Sequence, residues 1–544
     1  MKRILIVLLC MAIGLSTVGC AKGNNSSGSP TGSSTGNIGT IGADTEDDIF
    51  PLSEEKITIK IMATRWTNQG PFEDYAFTKA YEELTNVHVE WIEATSAEGG
   101  KLKTLAFQSG DMPDAMCLMD TTVNDIDIHT YSKQGVIAEL NDLIDEYAPN
   151  VKKLLDSRPD ARAACTNADG KIYSLPLISQ QEAYNEEAMM YIRKSWLENL
   201  GLEMPKTSQD FYNILTAFKN DDPNGNGKQD EIAFAATSGL SMWMWSPWGI
   251  NTWYNRHYMA INDQGKIYYA PITDSMKNAV TFYRNLYNAD LMSQDIFEGS
   301  AVALKKVVQQ GLVGVFGGVD LETYLGQDLC EDYTPMPFFN SGYQAEFNGK
   351  ATMATKSAAA KHTFLISEKS KHKELIMKWY DYLCTQEGSL LRTYGPEGDG
   401  YYEMTEDGKV KILDPSIDAN LTRGPSWVIG STPERIELAP KDNMTWQEKW
   451  NVDILGFDNL KKLYGDQLAE KNIGSLFFTE DEAYAITNLG DTYGQTYWQL
   501  SEFITGARNI DTEWNTYVED VVRKGVNDTI AIYQTAYDRQ NKTK

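Results

Sequence analysis

One stretch of the sequence carries oxygen-bearing residues at the spacing that a hard cation requires. Side-chain oxygens stand at positions one, three, five and nine, on Asp222, Asn224, Asn226 and Asp230. The main-chain carbonyl of Lys228 stands at position seven. Gly227 stands at position six, where a Ca²⁺ loop needs a sharp turn. The twelfth position of an EF-hand would hold a bidentate Glu, but this sequence has Ala233 there. The spacing therefore predicts a Ca²⁺ loop that is not a helix–loop–helix sensor, with an Asn- and Gly-rich turn without an ion as the alternative.

A second stretch concentrates flat aromatic surface. Four Trp fall within eleven residues, and they are Trp243, Trp245, Trp248 and Trp253. Burial of all four indoles in one irregular segment would require a hydrogen-bond partner for each N–H, whereas indole faces can stack on the C–H faces of sugar rings. The stretch therefore predicts the wall of a carbohydrate cleft. The alternative is that Trp243 and Trp253 belong to the core and that one or two of the indoles face a ligand.

The elements that must position these residues alternate between strand and helix after residue 55. Residues 56–62 place Ile57, Ile59 and Ile61 on one face with a period of two. Helix and strand patterns then alternate over 71–84, 88–92, 99–108 and 114–119. Repeated strand–helix–strand units predict right-handed crossovers and a mostly parallel sheet, so the fold class is α/β. Later amphipathic segments are predicted as helices over 274–287, 371–384 and 514–539.

The ends of these strands supply further ligand candidates, because open α/β sheets bind ligands beyond the carboxyl ends of their strands. Trp66 follows the first strand, and Asp120 follows the strand over 114–119. A carboxylate such as Asp120 accepts paired hydrogen bonds from adjacent hydroxyls of a sugar. This chemistry favours neutral sugars over uronates, although Arg65 and Arg193 could serve a uronate carboxylate locally.

The composition excludes one class of partner. The chain has 544 residues, with 49 Lys+Arg and 76 Asp+Glu, and a formal net charge of −27. Such a field repels phosphate backbones, and no block rich in Lys or Arg occurs after residue 3, so we expect no nucleic-acid binding. Four cysteines remain widely spaced after residue 20 and predict buried thiols or one disulfide rather than a metal site, at Cys117, Cys165, Cys330 and Cys384.

The N-terminal segment differs in composition from the rest of the chain. A basic start, an apolar run over 4–13 and small residues before Cys20 predict a signal peptide over 1–19. The tetrapeptide Thr17-Val18-Gly19-Cys20 resembles a bacterial lipobox, which implies that Cys20 carries a lipid; an ordinary cleaved signal is the alternative. Residues 20–55 are rich in Gly, Ser and Thr and predict a disordered tether.

Five motifs stand in a fixed order along the chain. They are SGDMPD over 109–114, GKIYSLP over 170–176, LVGVFGGVD over 312–320, FLIS over 364–367, and YGPEG over 394–398 with the Tyr and Asp-Gly that follow it. Together they make the sequence resemble the extracellular solute-binding proteins of sugar-type ABC importers, in the subgroup that includes alginate-binding lipoproteins. The resemblance covers nearly all of the chain after residue 56. It implies a two-lobe, periplasmic-binding-protein-like (Venus flytrap) fold that closes over its ligand by a hinge motion between the lobes.

The resemblance also implies a division of the chain and a fuller set of site residues. Lobe 1 would comprise 56–176 and 358–395, and lobe 2 would comprise 177–357 and 396–544. The Ca²⁺ loop is similar to the structural calcium site of the alginate-binding branch, which adds Glu231 to the ligands. The ligand contacts that we expect in the cleft are Trp66, Asp120, Tyr184, Asn185, Trp245, Trp248, Trp253, Tyr402 and Trp427.

We therefore expect a monomeric substrate-binding lipoprotein on the extracytoplasmic face of a bacterial cell membrane. It would capture an oligosaccharide and present it to the permease subunits of an ABC transporter. We expect no catalytic residues, because no GxSxG, P-loop, HExxH or GxGxxG-after-strand pattern occurs. Two alternatives remain: a secreted glycosidase-like enzyme, with two carboxylates across a groove, and a peptide-binding lipoprotein, which has less use for the Trp-rich stretch.

Overall fold

The computed structural model describes most of the chain after residue 48. The described residues are 49–66, 69–95, 98–118, 122–167, 169–178, 189–236, 240, 242–250, 258–297, 301–318, 321–342, 359–398, 401–413, 429–433, 436, 439, 457–467, 473–493 and 497–542. Within them the strands are β1 (Ile57–Arg65), β2 (Val87–Thr95), β3 (Ala115–Cys117), β4 (Leu175–Ile178), β5 (Met190–Arg193), β6 (Ile232–Ala236), β7 (Met259–Ile261), β8 (Ile267–Tyr269), β9 (Val313–Gly317), β10 (Tyr333–Met336), β11 (Ala359–Ile366), β12 (Tyr402–Met404) and β13 (Val410–Ile412).

The α-helices of the same residues surround these strands. They are α1 (Ala76–Thr85), α2 (Gly99–Ser109), α3 (Asp125–Lys133), α4 (Asn141–Tyr147), α5 (Pro149–Ser157), α6 (Pro159–Cys165), α7 (Lys194–Leu200), α8 (Ser208–Asn220), α9 (Met242–Trp245), α10 (Asp274–Asn288), α11 (Ala301–Gln309), α12 (Leu321–Leu325), α13 (Gln327–Cys330), α14 (Lys373–Tyr382), α15 (Gln386–Tyr394), α16 (Phe457–Tyr464), α17 (Glu480–Tyr493), α18 (Gln499–Thr505), α19 (Ile510–Arg523) and α20 (Val526–Lys542). Short 3-10 helices cover Phe72–Asp74, Ser246–Trp248, Ala270–Ile272 and Gly465–Gln467.

The first sheet has the strand order β2-β1-β3-β11-β4. β1 is parallel to β2 and β3, as the strand–helix–strand pattern predicted. β11 is antiparallel to both β3 and β4, so the sheet is mixed rather than mostly parallel. The reason is the path of the chain, because β5 to β10 lie outside this sheet and β11 re-enters it in the opposite direction.

The second sheet has the strand order β10-β5-β9-β6. β6 and β9 are parallel, whereas β5 is antiparallel to β9 and to β10. Two small antiparallel hairpins stand apart from the sheets, formed by β7 with β8 and by β12 with β13. The carboxyl ends of β6 and β9 therefore share one edge of the second sheet, as those of β1 and β3 do in the first.

Each sheet has apolar clusters of its own on both faces, because successive strand residues point to opposite sides. In β11, Phe364 packs in one cluster of the first sheet and Leu365 in the other, and we call these two clusters the first core. In β9, Val315 and Phe316 likewise separate into the two clusters of the second sheet, which we call the second core. The four cysteines after residue 20 are buried and form no disulfide.

One predicted helix is divided in two. The sequence pattern predicted a single helix over 514–539, but the chain forms α19 and α20 with Gly525 between them. Gly525 has φ +94°, and a Cβ at this position would lie 2.7 Å from Leu489 Cδ2. A residue with a side chain would be strained there, so the turn between the helices depends on glycine.

Candidate ligand and calcium sites

The first sheet presents an indole at the edge where its parallel strands end. Trp66 follows β1 directly and is 38% exposed. The Trp66 N–H donates to Gln69 Oε1 over 2.9 Å, and the Gln69 N–H donates to the Trp66 carbonyl over 3.0 Å. Gln69 itself is buried. Because its main chain is already fixed, Trp66 loses little freedom when a ring stacks on it, which suits a sugar-binding platform.

The two arginines that the sequence offered to an acidic sugar are paired inside the protein. Arg65 Nε lies 2.7 Å from Glu93 Oε2, and Arg65 Nη1 donates to the Gln69 carbonyl over 2.6 Å. Arg193 Nε lies 2.6 Å from Asp332 Oδ2. Since both guanidinium groups already have a carboxylate partner, a uronate would have to compete for them.

The Trp-rich stretch lies inside the second core, which corrects the prediction that Trp245 and Trp248 stack on a ligand. They are 1% and 2% exposed. Trp245 Nε1 donates to the Tyr497 hydroxyl over 2.9 Å. The ring of Trp248 packs on Phe282 and Phe339, with centroids 5.1 and 5.6 Å apart. The partner of Trp245 and the rings that pack on Trp248 come from segments distant in sequence, and these contacts place both indoles in the core.

Trp243 is buried as well, in line with the alternative interpretation that part of the stretch is core. Its ring closes over the end of β9 at Gly317, where a Cβ would lie 2.9 Å from Trp243 Cδ2. The ring of Phe234 on β6 packs on it edge to face, with centroids 5.0 Å apart. These contacts make Trp243 a packing residue of the second sheet.

Tyr402 is also a packing residue, which corrects its prediction as a ligand contact. It begins β12 and is buried in a small cluster with Leu390 and Val410. Its ring centroid lies 5.7 Å from that of Tyr394. Burial raises the pKa of the Tyr402 hydroxyl well above its ordinary value. In this arrangement Tyr402 holds its hairpin against α15 and offers no face to a ligand.

The remaining ligand candidates lie outside the described residues. They are Asp120, Tyr184, Asn185, Trp253 and Trp427, and the lipidation candidate Cys20 lies outside them too. Sequence reasoning missed two supporting residues. Gln69 could have been found from its spacing of three residues from Trp66, whereas Tyr497 is 252 residues from Trp245 and gave no signal.

The predicted Ca²⁺ loop joins α8 to the amino end of β6, away from the edge where β6 and β9 end. Asp222 Oδ1 and Oδ2 accept the N–H groups of Asn226 and Gly227 over 3.0 and 2.9 Å. Asn224 Oδ1 accepts the Asn226 N–H over 2.9 Å, and Asn226 Oδ1 accepts the Lys228 N–H over 2.8 Å. These bonds wind the main chain into a tight loop around the side chains of its first half.

Later side chains of the loop converge on the same point. The amide nitrogens of Asn224 and Asn226 lie 3.5 and 3.0 Å from Asp230 Oδ1. The side chains at positions three, five and nine therefore lie together, and their role as cation ligands stays a prediction. In the described part of the chain no group of three or more His, Cys, Asp or Glu is placed to hold a metal ion, so this loop would rely on Asn and main-chain oxygens as well.

Among the residues of the loop, Glu231 has the environment that best suits a cation ligand. It is buried, and neither of its carboxylate oxygens has a hydrogen-bond partner in the described part of the chain. Burial raises the pKa of this carboxyl, and the neighbouring charges of Asp230 and Asp222 raise it further. An unpaired carboxylate is costly to bury, so the donor set fits a divalent cation held beside it.

A Ser–His–Asp chain exists but is sealed from solvent. His362 Nδ1 lies 2.6 Å from Ser174 Oγ, and His362 Nε2 lies 2.7 Å from Asp125 Oδ1. This order matches a nucleophile, a base and an orienting carboxylate. All three residues are buried in the first core, so no substrate carbonyl can reach the hydroxyl. The arrangement is a structural network.

Residues 64–389 match the family model for the bacterial extracellular solute-binding protein. The chain belongs to this family. Its mixed sheets and surrounding helices are those of the two-lobe fold that the motifs predicted. Because members of this solute-binding family bind their solutes for ABC importers, the glycosidase alternative is set aside.

Relatives of this solute-binding protein match it over most of its length. It is 30% identical over 522 residues to the fructooligosaccharide ABC transporter substrate-binding protein FusA of Streptococcus pneumoniae, covering 91% of this chain and 92% of FusA. It is 27% identical to lipoprotein LipO of Bacillus subtilis, covering 89% and 90% of the two chains.

Solved structures with a similar fold support the same family assignment. FusA in complex with kestose superposes with a TM-score of 0.71 at 28% identity, covering 90% of this chain and 100% of that one. An EF-hand mutant of FusA in complex with fructo-nystose gives the same TM-score at 27% identity. Alginate-binding AlgQ2 without calcium ion shares the fold, with a TM-score of 0.65 at 20% identity over 90% and 99% of the two chains. In the described ranges of this chain, every helix is too short or too polar to cross a membrane.

Proposed function

We propose that this solute-binding protein captures a neutral oligosaccharide between its two sheets and delivers it to the permease subunits of an ABC importer. The observation that carries the proposal is the match along 91% of the chain to FusA, whose structure with kestose has the same fold. The exposed, fixed indole of Trp66 at the ligand-binding edge of the first sheet supports it. Kestose is a neutral sugar, in keeping with the internal pairing of Arg65 and Arg193.

The site that we propose centres on Trp66. Asp120 would follow β3 at the same edge and accept hydrogen bonds from sugar hydroxyls. The contacts from the other predicted segments would be Tyr184, Asn185, Trp253 and Trp427. Trp245, Trp248 and Tyr402 have no place in it, because they are committed to packing.

The lobes that we propose keep the sequence division except at the end of β4, at the β12–β13 hairpin and near residue 430. Residues 56–178 with 358–413 would form lobe 1, and 179–357 with 414–544 would form lobe 2, because β4 reaches Ile178 in the first sheet and Tyr402 of the β12–β13 hairpin packs with Leu390 of α15. Ile429, however, packs in the first core, and the Thr432 N–H donates to the carbonyl of Ile178 in β4. We therefore assign the stretch around 429–433 to lobe 1.

The loop over 222–231 would hold a structural Ca²⁺. Asp222, Asn224, Asn226, the Lys228 carbonyl, Asp230 and Glu231 would be its ligands, and the orphaned carboxylate of Glu231 supports this. The ion would stabilise the connection between α8 and β6. Since this connection lies at the amino end of β6, we expect no direct contact between the ion and the sugar.

The N-terminal segment would tether the protein to the outer face of the cell membrane. Signal removal after residue 19 would leave a lipid on Cys20, and residues 20–55 would form a flexible spacer. A monomer on such a tether can turn toward the permease. The relationship to lipoprotein LipO supports this anchoring.

A thermal-shift panel tests the proposed function. Purified protein is heated with kestose, with an oligogalacturonate and with a mixture of tripeptides, and the incubated sugars are checked for products. We expect kestose at about 100 times its dissociation constant to raise the stability by about 2.7 kcal/mol, with no turnover. Stabilisation by the tripeptides alone would favour the peptide-binding alternative, and a preference for oligogalacturonate would contradict the neutral ligand.

A further inference from the structure

Residues 473–479 precede α17 and divide their side chains between the two cores. Leu476 packs in the second core, whereas Phe477 packs in the first. The ring of Phe478 lies 5.0 Å from that of Tyr533 on α20. A segment that packs with the second core therefore places one side chain, that of Phe477, in the first core. We call residues 476–478 the plug segment.

Polar side chains of the first core hold the main chain of the plug segment. Lys361 Nζ donates to the Leu476 carbonyl over 2.8 Å, and the Phe478 N–H donates to Asp125 Oδ2 over 3.2 Å. His129 Nε2 lies 2.9 Å from the Phe478 carbonyl oxygen. Side chains from α3 and β11 thus replace the hydrogen bonds that a helix or strand would give this segment.

Two side chains of α20 bind the main chain of the plug segment and of the residue before it from the other direction, and Glu482 of α17 holds one of them. Arg539 Nη2 donates to the Phe477 carbonyl over 3.1 Å and to Glu482 Oε2 over 2.7 Å. Gln540 Nε2 donates to the Ser475 carbonyl over 3.2 Å. The plug segment is therefore fixed to both cores at once.

Asp125 is the centre of the attachment to the first core. Its two carboxylate oxygens accept Lys361 Nζ over 2.7 and 2.9 Å, and one of them also lies 2.7 Å from His362 Nε2. His362 is bonded in turn to Ser174, which directly precedes β4. Lys361 and His362 lie in β11. The network therefore ties the plug segment to the two strands of the first sheet whose chains continue toward the second sheet.

The shifted pKa values of this network and the backbone of His362 indicate that the network is a defined part of the fold. Burial alone would raise the pKa of Asp125, but Lys361 and His362 hold it well below its ordinary value. Burial lowers the pKa of His362 although Asp125 acts in the opposite direction. His362 also has φ +59°, in the irregular part of β11 between Ala360 and Phe364. Such a backbone persists only where surrounding contacts determine it.

We propose that Asp125 is a positioning residue that fixes the pivot on which the two cores turn. Through Lys361 and His362 it binds the linking strands and the plug segment into one unit, so that closure rotates the second core about Phe477. The inference rests on the proposed function, because a pivot matters only if the cores close over a ligand. Asp125 limits the range of open arrangements, which raises the fraction of molecules that can bind and thus the apparent affinity.

The test compares the wild-type chain with Asp125→Asn and Phe477→Leu, and uses Asp332→Asn as a matched control. Asp332 pairs with Arg193 and accepts the Ser195 N–H over 2.8 Å at the second sheet, so its loss also removes a salt bridge, but away from the pivot. Small-angle X-ray scattering and hydrogen exchange are measured on ligand-free protein well below each melting temperature. Kestose affinity is then measured by calorimetry.

We expect the amides of residues 473–479 to exchange at least about tenfold faster in Asp125→Asn and Phe477→Leu, with a larger radius of gyration. We also expect Asp125→Asn to bind kestose at least about fivefold more weakly. The control should lower the melting temperature and change none of these three quantities. Asp125→Asn with a lower melting temperature but wild-type scattering and exchange would overturn the proposal, as would equal changes in the control. If the wild type binds no kestose, the proposed ligand fails, while scattering and exchange still decide on the pivot.

Discussion

Trp66 and the indoles of the Trp-rich stretch have the same chemistry but opposite environments. Trp66 stands one residue beyond the end of β1, and the short turn closed by Gln69 holds its main chain while leaving its ring exposed. Trp245 and Trp248 receive a hydrogen-bond partner and aromatic neighbours from distant segments and are buried. The clustering of Trp in a stretch therefore reflects burial in the core, whereas the position of Trp66 beyond a strand end is what makes it a candidate ligand contact.

The largest expected effect comes from truncating a buried indole. Trp248→Ala should lower the free energy of unfolding by about 3–5 kcal/mol, because it leaves a cavity between Phe282 and Phe339. Trp66→Ala should change it by less than about 0.5 kcal/mol, since that ring is exposed. Urea unfolding followed by circular dichroism measures both. Equal losses in the two variants would show that Trp66 is as deeply packed as Trp248.

Calcium should act on the buried region and not on Trp66, because the loop leads into β6 and Phe234 of β6 packs on Trp243. Chelation should lower the melting temperature, by the equivalent of about 2.7 kcal/mol if the free ion was at 100 times its dissociation constant. The effect of Glu231→Gln on stability should depend on calcium. In excess calcium the variant should be less stable than the wild type, because a ligand is lost. In chelator it should be more stable, because a buried unpaired charge is removed.

Asp263→Asn is the matched control for the loop, because Asp263 is an acidic residue in the turn of the β7–β8 hairpin. It should leave the response to calcium unchanged. A Glu231→Gln variant that is less stable than the wild type in both calcium and chelator would contradict the cation site.

Trp66→Ala should weaken the binding of kestose by about tenfold or more, which corresponds to about 1.4 kcal/mol, because the stacking face is lost. Trp498→Ala is the control, since Trp498 is 58% exposed but directly precedes α18 on the second core. Isothermal titration calorimetry measures both. Retained affinity in Trp66→Ala would remove this residue from the site.

The smallest expected effect is the pH dependence of stability. It comes from His362 and Asp125 and not from the indoles, because an indole does not titrate. The folded-state pKa of His362 is lowered by burial, so stability should fall as pH drops below about 6.5, where the unfolded chain takes up the proton first. The pKa of Asp125 is also lowered, so a further loss should begin below its ordinary value. Asn tolerates the left-handed backbone of residue 362, so His362→Asn should show a smaller fall in melting temperature between pH 7.5 and 5. A wild type that becomes more stable on acidification would contradict these directions.

Local patterns in the sequence predicted the features that depend on residues close together in the sequence. The period of two over 56–62 gave β1 with Ile59 and Ile61 buried, and the spacing of acidic and amide residues gave the convergent loop before β6. The predictions that failed concern side chains whose environment is set by contacts between distant segments, such as the hydrogen bond from Trp245 to Tyr497. The network of Ser174, Asp125 and His362 was missed for the same reason, because its members stand 188 and 237 residues apart.

Hydroxyl-radical footprinting read by mass spectrometry distinguishes an indole in the cleft from an indole in the core, because it reports the exposure of each Trp with and without sugar. We expect Trp66 to be oxidised in the free protein and protected by saturating kestose, while Trp245 and Trp248 stay unmodified in both states. Trp66 oxidised equally in both states, or Trp248 oxidised and then protected by kestose, would contradict this expectation.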